Sequence, residues 1–288
     1  MKKISVILSA EHGIDDCQFL DFYENQQDRG IIEIIIVDGG PNFIDQSNGI
    51  IRHIQGSSSN IQSLIATGLP YAQGEWIFIS EDHCRPLEGI FDGYQLEIAN
   101  HPEIDLFGGL VENLTSTGLW STAIFLTGLG AHWVSAPTLP QSPTNANMMI
   151  RAAAILSEEM VVDGGLLNFT IPRLIAAQKY ALCPAAVVDH VLPLSPKDAI
   201  SFQFHVSTDV VSVNRALWSN PLTFRRFLGD GLNLLRKGVF DPIRIVRLYK
   251  GSLLGRMSMA GRLMAIGITG AMAVLHYDVS LVSRRLSR

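Results

Sequence analysis

Cysteine is scarce in this chain. Cys17, Cys84 and Cys183 are its only three in 288 residues, odd in number, far apart and without a C-x-x-C pair. That excludes a disulfide-stapled scaffold and a cysteine-rich zinc site, and it fits a reducing compartment. Charge is scarce too, at 17% of residues, yet no run of about 18 uncharged apolar residues marks a plain membrane span. There is no internal repeat and no low-complexity tract, which rules out a solenoid and a disordered linker. The start, Met1-Lys2-Lys3 followed by Ile4 to Ala10, imitates a signal peptide. Its short apolar stretch runs straight into Glu11-His12-Gly13 with no cleavage site, so it reads as a first β-strand.

What is present is enough apolar material, 47% of residues, to fill a sizeable core. Ile4 to Leu8 and Ile31 to Val37 are β-branched runs. Between them Phe19, Leu20, Phe22 and Tyr23 fall at helical spacing after Asp15-Asp16, a possible N-cap. Ile51 to Ile54 predicts a short strand, Asn60 a cap for a helix carrying Ile61, Leu64, Ile65 and Leu69, and Glu75 to Ile79 another buried strand after Gly74. Strand-helix alternation predicts an α/β fold with a mostly parallel sheet and a ligand at the strands' carboxyl ends. Further on, Asp105 to Val111 predicts a strand, Gly165 to Lys179 a helix despite Pro172, and Ala185 to Val191 a late strand. Ser135 to Thr144 is a Pro-rich loop that could lie over a site.

Two acidic turns follow predicted strands, Asp38-Gly39-Gly40 and Glu81-Asp82-His83. Oxygen and imidazole donors at a strand end can hold a divalent metal, which can in turn bridge the phosphates of a nucleotide diphosphate.

At this point the chain resembles the family 2 glycosyltransferases of the GT-A fold, over about residues 3 to 191. The resemblance rests on Ile4-Ser5-Val6-Ile7, then Glu33-Ile34-Ile35-Ile36-Val37-Asp38-Gly39-Gly40, Gly68 with Ala72-Gln73-Gly74-Glu75, and Phe78 to Pro86, in that order. It implies a Rossmann-like sheet with flanking helices and sugar transfer from a nucleotide-diphosphate donor, UDP-linked, with inversion. It also implies base reading by Asp38, further donor contacts at Ala10, Glu11 and Asp82, and Mn2+ or Mg2+ held by Glu81 and His83, with His190 completing the metal shell. Some positions depart from the family pattern: Ser9-Ala10-Glu11-His12 replaces the usual Pro-Thr-Tyr-Asn, and no acidic pair precedes Arg173, where Gly164-Gly165-Leu166-Leu167-Asn168 stands. An amide cannot take a proton as a carboxylate does, so Asp163 becomes the candidate general base, ahead of Glu158 and Glu159. Two alternatives stay open. One is a catalytically silent relative that serves as a membrane assembly subunit. The other is a nucleotidyltransferase, although no glycine-rich, lysine-containing phosphate loop follows the first strand.

Charge divides the chain near residue 220. Residues 1–219 form the expected nucleotide-sugar-binding domain, with a net charge of −14, whereas residues 220–288 carry 12 of the 22 basic residues against Asp230, Asp241 and Asp278, for +9. Apolar residues fill the gaps between those charges, so an anionic membrane surface fits better than nucleic acid. Asp241-Pro242 can start a helix carrying Arg244, Arg247 and Lys250. Leu263 to Leu275 is apolar but too short to span, which predicts a peripheral or re-entrant segment at the cytoplasmic membrane face. The expected acceptor is lipid-linked or a cell-surface polysaccharide.

Overall fold

The computed structural model describes residues 2–11, 13, 19–57, 60–114, 118–134, 140–160, 164–192, 194–217, 246 and 252–286. They fall into two units. The first ends at Val191 and holds the sheet; the second takes in the helix Leu119–Gly128 and the chain beyond Leu192. The charge boundary near residue 220 lies outside the described residues.

In the first unit, β1 (Ile4–Ala10), β2 (Ile31–Asp38), β3 (Ile51–Gln55), β4 (Trp76–Glu81), β5 (Cys84–Pro86), β6 (Leu106–Asn113), β7 (Met148–Arg151) and β8 (Tyr180–His190) form one sheet, in the order β3-β2-β1-β4-β7-β6-β8-β5. Pairings are parallel except where β7 joins β4 and β6 and where β5 joins β8. This is the mostly parallel α/β architecture that the alternating pattern predicts.

The centre of the sheet, β1 and β4, is buried along its whole length, as mainly apolar strands covered on both faces are. On one face Ile7, Ile35, Val37, Ile77 and Ile79 pack with Leu64, Ile65 and Leu69 of the segment that begins with α2 (Ile61–Gly68). That helix starts where the sequence places it, because the Asn60 side chain accepts a hydrogen bond from the Gln62 amide at 2.9 Å. The other face is aromatic: the Phe78 ring lies 5.2 Å from Phe91 and 5.9 Å from Tyr94, both on α3 (Ile90–Asn100), and 6.2 Å from Tyr23 on α1 (Leu20–Glu24). Burying such a ring stabilises the fold by roughly 1.5–3 kcal/mol. Gly74 serves a close approach. A Cβ there would collide with the Ser5 amide, while the Gly74 N–H donates to Ser5 Oγ at 2.7 Å and Ser5 Oγ donates to Glu33 at 2.6 Å.

The helix expected over Gly165 to Lys179 has two parts, a π-helical turn over Leu166–Thr170 and α6 (Ile171–Ala176), preceded in the chain by α5 (Ser157–Met160). Pro172 stands at the start of α6, directly after the π-helical turn.

In the second unit α4 (Leu119–Gly128), α7 (Pro196–Leu217) and α8 (Leu253–Leu286) pack on one another. Gly270 lets α8 approach α7 closely, since a Cβ there would lie 3.0 Å from Ser207 Oγ. The Phe204 and His276 rings meet at 5.9 Å, and the Arg262 guanidinium stands over Trp120. Among the described residues no helix is long and apolar enough to cross a membrane. The helix start expected at Asp241-Pro242 lies outside them.

Candidate active site

Strand register sets the site. Ala10 pairs with Asp38 across β1 and β2, and Ser9 pairs with Glu81 across β1 and β4, so the carboxyl ends of three adjacent parallel strands finish level. Backbone bonds close this rim: the Gly39 amide donates to the Ala10 carbonyl at 2.8 Å and the Asp82 amide to the Ser9 carbonyl at 3.1 Å. Glu11 continues from Ala10 at the same edge, partly buried.

The turn after β4 meets the end of β8. Antiparallel pairing sets Cys84 opposite His190, an Arg85–Asp189 ion pair ties β5 to β8, and the Val191 amide donates to the His83 carbonyl at 3.0 Å. His190 is thereby carried to His83, 107 residues earlier, with Nε2 to Nε2 at 3.0 Å. His83 Nε2 also lies 3.1 Å from Glu81 Oε2. Donor atoms of Glu81, His83, Cys84 and His190 all fall within 4.8 Å of one another. The metal ligands expected from sequence are thus gathered in one place, with Cys84 added.

Asp82, expected to touch the nucleotide, is buried and turned to His83, whose Nδ1 lies 2.8 Å from Asp82 Oδ1. This carboxylate-imidazole contact leaves Nε2 facing the donor cluster, the arrangement that orients a metal-binding histidine. Burial opposes the His83 cation, but hydrogen bonds to Asp82 and Glu81 outweigh it and raise its pKa to about 10. Burial, and then the charge of His83, push His190 well below the ordinary histidine value. Burial and the nearby Glu81 and Asp82 push the Cys84 thiol well up. A metal bound here would displace the proton that Asp82 and Glu81 favour on His83; the carboxylate oxygen and two imidazoles would then suit a first-row dication such as Mn2+ better than Mg2+, which prefers oxygen alone.

Asp38 is nearly fully buried, with a partner on each carboxylate oxygen. Oδ1 accepts from the Gly40 amide at 2.6 Å, and Oδ2 lies 3.1 Å from His53 Nε2. His53 Nδ1 accepts from the Gln46 amide at 3.1 Å, so its proton sits on Nε2 and is donated to Asp38. Phe43 packs on the same imidazole at 4.6 Å. Sequence reasoning missed His53. The available signal was a histidine sharing with Ile51 the buried face of a strand next to Asp38.

Asp163 lies outside the described residues, as do the side chains of Glu158 and Glu159. Asn168 lies within the π-helical turn, where its amide donates to the Gly164 carbonyl at 3.0 Å. Arg151 is engaged by Asp105 at 2.6 Å and stands over the Trp76 ring, a structural brace.

No protein-family model and no curated protein matches the chain. Among solved structures it is similar to the mannosyltransferase PcManGT from Pyrobaculum calidifontis, in complex with GDP-Man and Mn2+. The two share 11% identity and a TM-score of 0.51, over 96% of this chain and 88% of that one. It also aligns with S. aureus TarS 1-349 at 13% identity and a TM-score of 0.44, over 96% and 92% of the two chains. A third is glucosyl-3-phosphoglycerate synthase from Mycobacterium tuberculosis with Mn2+ and UDP-Glc, at 13% identity and 0.47, over 74% and 79%. The match to PcManGT shows the fold: the first unit's sheet and flanking helices form a GT-A, Rossmann-like domain.

Proposed function

We propose that this chain is a metal-dependent glycosyltransferase, moving a sugar from a nucleoside diphosphate donor to a lipid-linked or cell-surface polysaccharide acceptor. One observation carries the reading: a buried, oriented carboxylate, Asp38, and a carboxylate-imidazole donor cluster stand on the same carboxyl rim of a GT-A sheet. PcManGT, which shares the fold, is described with a nucleotide sugar and Mn2+.

The Asp38 carboxylate, held by the Gly40 amide and His53, would accept the ring N–H of a uracil-type base. The Ala10–Glu11 edge would line the nucleoside. Glu81, His83 and His190 would hold the cation, with Asp82 fixing the His83 ring; a divalent ion bound there supplies charge neutralisation for the departing diphosphate. In the transfer a carboxylate, for which Asp163 is proposed, takes the acceptor hydroxyl proton. The acceptor oxygen then bonds to the anomeric carbon, and the donor's C–O bond breaks with its electron pair leaving on the nucleoside diphosphate. A single displacement of this kind inverts the anomeric centre.

Calorimetric titration with UDP, GDP and ADP, each with and without Mn2+, tests the reading. Metal-dependent binding of UDP is the expected result; no nucleotide binding in any arm refutes it. The amide at Asn168, where the family carries carboxylates, favours a second reading, a silent relative. Metal-dependent UDP binding without turnover on any acceptor would identify it.

A further inference from the structure

We propose that α8 lies in the plane of an anionic membrane, with the stripe Leu254, Met257, Gly261, Met264, Ile268 and Met272 as its inserting face. These positions recur every three or four residues, so they share one side of the helix and run about 27 Å along it. The five large side chains are 37% to 77% exposed, and a Cβ at Gly261 would meet nothing within 4 Å. The opposite side of the same helix is already used: Met259, Leu263, Ile266 and Ala273 are buried, and Gly270 abuts α7. A helix that needed only one apolar face for packing would show charge on the other. This one shows methionine, leucine and isoleucine, a flexible apolar surface that adapts to an irregular neighbour.

Charge selects the occupant. No acidic residue occurs from Leu253 to Tyr277, and residues 220–288 carry a net +9. A second copy docking through the same face would bring the same excess positive charge to the contact, whereas anionic headgroups complement it. Since no described helix is suited to crossing a membrane, an in-plane position with the stripe in the headgroup-acyl boundary accommodates both features. The proposal does not depend on the donor assignment.

The test is flotation of the full chain on vesicles of phosphatidylglycerol and phosphatidylcholine, against vesicles of phosphatidylcholine alone, at low and high salt. The parent should float with the anionic vesicles and keep part of its binding in high salt, because buried apolar area is not screened. The double variant Met264→Asp/Ile268→Asp should lose at least about tenfold in partitioning, and Met264→Leu/Ile268→Leu should keep it. Circular dichroism and calorimetric metal binding should be unchanged in both variants, which separates loss of docking from misfolding and from failure of the donor reading. Three outcomes overturn the proposal: equal flotation on both vesicle types, flotation of the Asp variant at the parent level, or a dimer abolished by the Asp variant with no flotation of the parent.

Discussion

Asn147 offers a sharp test of how this sheet is held together. β6 and β8 run in parallel register until Gly108, after which Leu110 pairs with Val187, so the residues from Cys183 to Ala186 bulge out of the ladder. The fully buried Asn147 side chain repairs that break. Its amide donates to the Leu110 carbonyl at 2.8 Å and the Ala186 carbonyl at 3.0 Å, and its oxygen accepts from the Tyr94 hydroxyl at 2.7 Å. Asn147→Ala would strand three buried polar groups, each worth about 1–3 kcal/mol when unsatisfied; with partial relaxation the loss should be about 3–5 kcal/mol. Gly109→Ala should destabilise for a different reason, because its new Cβ would overlap the Asn147 amide, at a cost of about 1–3 kcal/mol. The three nearest atoms to that Cβ all belong to the Asn147 side chain, so the double variant removes the clash and partly fills the void. Urea unfolding of parent, both single variants and the double variant, followed by tryptophan emission, completes the cycle. The double variant should be more stable than additivity predicts by about 1–2 kcal/mol. Strict additivity, or an Asn147→Ala loss under 1 kcal/mol, would refute the bracing role.

Other outcomes follow from the rim. Glu81→Ala and His190→Ala should each weaken Mn2+ binding in calorimetry with the fold intact, and Asp82→Asn, which removes the carboxylate partner of His83 Nδ1, should cost about 10–100-fold in affinity. His83→Asp should shift preference from Mn2+ toward Mg2+, read as the ratio of the two affinities; an unchanged ratio would remove His83 from the metal shell. Asp38→Ala should lower the preference for UDP over GDP and ADP, and His53→Ala should lower it less, because Asp38 then keeps its side chain and its Gly40 bond. Equal preference in all three proteins would place base reading elsewhere.

The parallel centre of the sheet was legible because β1, β2 and β4 are long β-branched or aromatic runs, and α2 because Asn60 announces it. β7 was not. Met148–Arg151 offers only three apolar residues in a row, and its strand character comes from antiparallel neighbours on both sides. α3 was missed because Gly89 and Gly93 interrupt its pattern, although Gly93 stands where α3 meets Ala185 on β8. Glu81 and His83 could be read from one turn, and His190 only through the resemblance. Its arrival beside His83 depends on β5 pairing with β8. His53 and Asn147 act through contacts across neighbouring strands and a bulge, which one-dimensional periodicity does not encode.

The histidine at position 83 has a physical logic. A carboxylate there, between Glu81 and His190 and next to buried Asp82, would add a third negative charge to a pocket with little water to disperse it. An imidazole turns that crowding to use: Asp82 becomes the partner of Nδ1, and Nε2 takes the place that a carboxylate oxygen would occupy facing the cluster. The exchange keeps the number of donors and lowers their total charge. It also binds the site's geometry to the Cys84–His190 pairing, since His83 must meet His190 at hydrogen-bond distance. The same short strand pair, locked by Arg85 and Asp189, therefore supports the sheet edge and the donor cluster together.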